Sequence, residues 1–153
     1  MTAQIVPDSQ HKGLIAALPQ PLRDYAQLAR FDRPIGWWLL FWPCAWGLLL
    51  AGRQGEWRLL GWLLLGSIAM RGAGCVYNDI VDADLDRQVA RTALRPVASG
   101  RVSKRAAWVW LAVLCLIGLV VLLQLQNAWT AWTTVQAIKK REAREPSEFA
   151  GAS

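Results

Sequence analysis

Three apolar runs separated by short charged segments constrain this chain more than any other feature. The first, "IGWWLLFWPCAWGLLLAG", carries about 18 residues without a charge, enough for a membrane-spanning helix. The second covers residues 59–77, and the third runs from Ala106 to Leu125. A soluble core of this size would scatter its apolar residues at amphipathic spacing rather than gather them in blocks. The expected fold is therefore all-α, a multi-pass transmembrane helical bundle with about three spanning helices near 36–52, 59–77 and 106–125. Pro43 is expected to kink the first helix, which neighbouring helices tolerate by covering the freed carbonyl. Trp37 and Trp38 suit the membrane interface.

The net charge of +6 raises the possibility of a nucleic-acid partner. Its distribution argues against one, because the basic residues lie between the apolar runs, where they act as topology signals or anion ligands. Lys12, Arg23, Arg30 and Arg33 precede the first run. Arg87, Arg91, Arg95, Arg101, Lys104 and Arg105 lie between the second and third. The positive-inside rule then places the N-terminus and the 78–105 loop on the cytoplasmic side. Cys44, Cys75 and Cys115 are scattered and form no CxxC pair, which argues against a disulfide framework or zinc site. His11 is the single histidine, so a histidine-based triad has little to work with.

Three segments follow. Residues 1–21 read as a flexible tail. Residues 22–126 hold the membrane domain, entered through "PLRDYAQLARF", where Leu22, Tyr25, Leu28 and Ala29 fall at helical spacing and suggest a short interfacial helix. Residues 127–153 form a polar tail whose pattern differs from what precedes it. In the second run, Gly66, Gly72 and Gly74 with Ser67, Ala69 and Ala73 make a small-residue face for close helix packing. Arg71 in the same run is costly against lipid and is expected to face a protein interior or wet cavity.

The second run ends in "NDIVDADLD". If the helix continues, Asp79, Asp82 and Asp86 share one face within about 60°, at about 100° per residue, while Asp84 points away. Three converging carboxylates repel one another unless a cation joins them. Magnesium takes such hard oxygen ligands and shares its shell with phosphates and water. A solvated acidic turn is the plainer alternative. The next segment, "RQVARTALRPVASGR", supplies Arg87, Arg91, Arg95 and Arg101, and arginine recognises phosphate bidentately. Carboxylates for a cation beside arginines for an anion point to a diphosphate ester.

These motifs resemble the UbiA superfamily of intramembrane prenyltransferases. Asn78, Asp79, Asp82 and Asp86 match its NDxxDxxxD pattern, and "RTALRPVASG" is similar to its R-T-x-x-R-P-x-x-S-G stretch. "FDRPIGWWLLFWPCAWGLLLA" and "MRGAGCVYND" look closest to the bacterial members acting on 4-hydroxybenzoate. The resemblance covers roughly 22–126. It implies magnesium on Asp79, Asp82 and Asp86, with Asn78, Arg91, Arg95, Arg71 and Arg33 around the diphosphate. It implies polyprenyl diphosphate as donor, 4-hydroxybenzoate as acceptor in ubiquinone synthesis, a lipid bilayer as surroundings, and the bacterial inner membrane as location. Members carry a second aspartate-rich motif, and past Asp86 this chain has only Glu142, Glu145 and Glu148. The expectation is a truncated or frameshifted form with little turnover. A non-catalytic membrane fragment or helical interaction protein, and a relative with haem or another quinone precursor as acceptor, stay open.

Overall fold

The structure is a computed structural model that describes residues 14–53 and 55–142. His11, most of the tail expected over 1–21, and the tail beyond 142 lie outside the described residues. A single 3-10 turn, Leu14–Ala17, leads into α1, Gln20–Leu28. Pro21 sits in the first turn of α1, where its missing N–H costs nothing. α2 spans Ile35–Leu50, α3 Trp57–Val81, α4 Ala83–Asp86 and α5 Lys104–Glu142. The described residues contain no strand.

α3 and α5 are long and apolar enough to cross a membrane, whereas α2 is shorter. The 16 residues of α2 reach roughly 24 Å at 1.5 Å per residue, short of a typical hydrocarbon core. Pro43 lies inside α2 and does not end it. Its aromatic residues stack along one side, with Trp38 and Trp42 at 5.6 Å between ring centres. α5 does not stop near Leu125, where the apolar pattern fades, but continues as one helix of 39 residues. The polar stretch "NAWTAWTTVQAIKK" contains neither Gly nor Pro, so nothing in it breaks a helix already formed.

α3 is the central element, packed mainly against α5 and on another side against α2. Its small-residue face allows this approach. A Cβ on Gly72 would stand 3.1 Å from Phe31, 3.2 Å from Ala29 and 3.3 Å from Leu114, so three elements meet at that position. The buried core lies toward the end of the bundle where α3 finishes and α5 begins. It joins Leu28 of α1 and its cap Ala29, Ala73, Val76 and Ile80 of α3, Val97 and Val102 of the following loop, and Ala107 and Leu114 of α5. α1 meets this core with the face its spacing predicts, except that Leu22 stays exposed.

Arg71 departs from expectation. Its side chain is exposed rather than turned into an interior. It lies along the start of α2, where a Cβ on Gly36 would come within 2.6 Å of its Nε. The glycine leaves room for the guanidinium itself, whose Nε and Cζ lie against the first turn of α2.

Candidate active site

The acidic segment begins inside a helix and ends outside it. α3 continues through Asn78 and Asp79 to Val81, breaks at Asp82, and resumes as α4. Helical hydrogen bonding bridges the break. The Asp82 N–H donates to the Asn78 carbonyl at 2.8 Å, and the Asp86 N–H to the Asp82 carbonyl at 2.8 Å. Asp79 and Asp86 therefore remain on one side of the segment, and both are buried. Asp82 is half-buried at the break, and Asp84 is exposed. Asp84 accepts from Arg87 at 3.3 Å and Lys104 at 3.2 Å, a surface arrangement apart from the buried pair.

Arg95 joins the buried carboxylates. Its Nη1 lies 3.3 Å from Asp79 Oδ1 and 2.9 Å from Asp86 Oδ2. Arg30, at the end of α1, adds a second contact to Asp79 Oδ1 at 3.5 Å. The loop from 87 to 103 returns Arg95 to this position through its own hydrogen bonds. Thr92 Oγ1 donates to the Asp86 carbonyl at 3.1 Å, Arg87 Nε to the Ala98 carbonyl at 3.0 Å, and the Val102 N–H to the Pro96 carbonyl at 2.9 Å. Val97, Ala98 and Val102 are buried beneath it. Arg101 ties the loop to α1, donating to Asp24 at 2.6 Å and to the Leu94 carbonyl at 2.8 Å.

Beside Asp79 lies a small cleft, partly open to solvent. It is lined by Arg30, Arg33, Arg91 and Arg95, by Asp32 and Asp79, and by Gln27, Leu94 and Pro96. Four guanidiniums against two carboxylates leave the lining with two excess positive charges. That balance suits a polyanion approached by arginine forks.

Of the residues expected in a site, Arg33, Asp79, Arg91 and Arg95 meet in this cleft, with Asp86 behind Arg95. Arg71, Asn78 and Asp82 are not among its lining residues. Gln27, Arg30 and Asp32 were missed. The charge of Arg30 reads in sequence as a topology signal, although "RFDRP" places Arg30 and Arg33 three residues apart at the same helix exit. The expected three-carboxylate magnesium site is also revised. No group of three His, Cys, Asp or Glu side chains suited to a metal forms among the described residues. Asp82, half-buried at the break, does not line the cleft beside the buried pair. Two carboxylates still fit magnesium in its usual mode, where one or two protein oxygens are completed by phosphate and water.

A family model described as "UbiA prenyltransferase family" matches residues 40–138, more than half of the chain and past Gln126. The chain belongs to the UbiA prenyltransferase family. It is thus an all-α member of a membrane family, with two long apolar helices and one shorter. Among curated relatives, the mitochondrial 4-hydroxybenzoate polyprenyltransferase of Drosophila melanogaster is 51% identical over 67% of this chain and 27% of its own length. That of Arabidopsis thaliana is 46% identical over 72% of this chain and 28% of its own. The Homo sapiens enzyme of the same name is 44% identical over 72% of this chain and 30% of its own. The chain thus spans under a third of the length of these UbiA relatives. No solved structure matches it. The relatives correct one expectation. They are mitochondrial proteins of eukaryotes, so a bacterial inner membrane is not supported.

Proposed function

We propose that this chain forms the donor-binding part of a magnesium-dependent aromatic prenyltransferase. The reaction transfers a polyprenyl group from polyprenyl diphosphate to the ring of 4-hydroxybenzoate in ubiquinone synthesis. The observation that supports it most is the buried Asp79–Arg95–Asp86 bridge under a cleft lined by four arginines. The names of the relatives favour 4-hydroxybenzoate over haem as acceptor.

Asp79 and Asp86 are the residues that would hold magnesium, with Asp82 near enough in sequence to join through water. Bound there, the ion would supply Lewis-acid neutralisation of the leaving diphosphate. The protein's own work is positional and electrostatic. Arg91, Arg95 and Arg33 bind the diphosphate oxygens and stabilise the negative charge that grows on them as the allylic carbon–oxygen bond breaks. The electron pair of that bond leaves with the diphosphate. The ring carbon ortho to the hydroxyl then forms the new carbon–carbon bond, and its proton leaves to the diphosphate or to water. Arg71 and Asn78 lie outside the cleft lining and take no part in this reading.

Binding of inorganic pyrophosphate to the detergent-solubilised chain tests the reading by calorimetry. Magnesium-dependent binding that weakens at least tenfold in Arg91→Gln and Asp86→Asn is the expected result. Binding that is absent, or unaffected by EDTA and by both substitutions, would leave the chain a non-catalytic membrane fragment.

A further inference from the structure

The turn that ends α1 carries a conformational anomaly. Ala29 caps the helix, the Arg30 N–H donates to the Gln27 carbonyl at 3.0 Å, and the Phe31 N–H donates to the Ala26 carbonyl at 3.0 Å. This pair of bonds is a Schellman motif, and its left-handed position is occupied by Arg30 at φ 54°. Glycine is the residue that adopts this conformation without a steric penalty. Arg30 is the one non-glycine residue with positive φ among the described residues. Capping the helix does not require an arginine, and the left-handed conformation disfavours one, so the arginine there has a cause outside the cap.

The side chain supplies that cause. From the left-handed position it reaches Asp79 Oδ1 at 3.5 Å and forms part of the cleft wall opposite the loop that carries Arg91 and Arg95. Backbone strain held in place by surrounding structure is often found where a side chain must be aimed. The surrounding structure is present here. Phe31, the next residue, packs against Gly72, and Asp24, six residues before Arg30, is clamped by Arg101.

We propose that Arg30 is a diphosphate-binding residue, aimed into the cleft by a strained left-handed turn at the expense of helix-cap stability. This rests on the diphosphate reading of the cleft. Arg30 engages the anion from the α1 side while Arg91 and Arg95 engage it from the loop side, so the anion is held between two separate elements. The competing explanation is that Arg30 serves only as a partner for buried Asp79.

Three substitutions separate these roles. Arg30→Ala removes the guanidinium and keeps the strained backbone. Arg30→Gly removes the guanidinium and relieves the strain. Arg30→Lys keeps a charge without the planar fork. Each is made in the full chain, solubilised in detergent, and measured for thermal midpoint and for binding of inorganic pyrophosphate with magnesium chloride. The expected result is that Ala and Gly weaken binding equally, by roughly ten- to a hundredfold, the scale of a lost charge-assisted hydrogen bond. Lys recovers part of the loss. The Gly variant melts several degrees above the Ala variant. Affinity that follows stability, with Gly restored toward wild type, overturns the proposal, as does unchanged affinity in both. A Gly variant that melts no higher than Ala overturns the strain argument. Arg95→Gln serves as reference. If it weakens binding while the Arg30 variants do not, this inference alone fails. If the wild-type chain binds no pyrophosphate, or none of the arginine variants changes the binding, the diphosphate reading fails with it.

Discussion

Arg95→Gln is the substitution in which the geometry makes the sharpest demand on stability. The wild-type guanidinium nitrogen sits between two carboxylates whose side chains are 3% and 11% exposed. Removing a partner from a buried ion pair typically costs about 3–5 kcal/mol, because the charge left behind stays desolvated. Two features pull the figure to the low end. Arg95 is itself 18% exposed, so water reaches the site, and Arg30 remains beside Asp79. About 3 kcal/mol is the resulting expectation. For a chain of this length that corresponds to a fall of about 6–12 °C in thermal midpoint. Near-UV circular dichroism of the detergent-solubilised chain, which has ten Trp as reporters, measures it. The cycle with Asp86→Asn is more diagnostic than the single variant. Once Asp86 is neutral, loss of Arg95 leaves one fewer stranded charge, so the double variant should recover about 1–3 kcal/mol relative to additivity. A shift below 2 °C for Arg95→Gln, or a strictly additive cycle, would refute the bridge as the element holding the acidic segment to the loop.

Asp84→Asn is expected to change stability by less than about 1 kcal/mol, since its two ion pairs are on the surface, and pyrophosphate affinity should stay within twofold in the same titration. Gly72→Val should lower the thermal midpoint by an amount matching about 1–3 kcal/mol of overpacking, because its side chain would press on Phe31, Ala29 and Leu114 together; a midpoint equal to wild type would mean that α1, α3 and α5 do not meet there.

The sequence made the helical architecture readable because apolar block length is a direct measure of what lipid requires. It also marked the partnership of Asp79 with Asp86, since a separation of seven residues returns to nearly the same helix face. It did not reveal the break at Asp82. Asp82 carries no Gly or Pro beside it, so composition offered no signal that α3 would stop at Val81. The end of α5 was hidden for the opposite reason. Loss of apolar pattern after Gln126 looks like the end of an element, yet helical hydrogen bonds need no apolar side chains once the helix is nucleated. Arg71 was misplaced because the cost of a charge against lipid does not say which neighbour receives it, and here the guanidinium lies over Gly36 of α2. Arg30 was passed over because the long-range contact with Asp79 leaves no local trace in sequence.

An acidic cluster at the end of an apolar helix is a liability only while it is viewed alone. Asp79 is 2% exposed, a burial that a lone carboxylate could not sustain in charged form. The small-residue face of α3 draws α1 and α5 close, and that closeness both buries Asp79 and brings Arg30 to its side. The loop after α4 then folds back over buried Val97 and Val102 to deliver Arg95 from the other side. Packing and charge are thus coupled: the contacts that make the core also assemble the cation pair over the acid. On the proposed reading, a diphosphate entering the cleft would compete with Asp79 for the same guanidiniums. The carboxylate oxygens so released would then be open to a divalent cation arriving with that anion. Anion and cation should therefore bind more tightly together than either does alone, and a calorimetric titration of magnesium with and without pyrophosphate measures that coupling. Equal magnesium affinity in the two titrations would show that the arginines do not move between acid and anion.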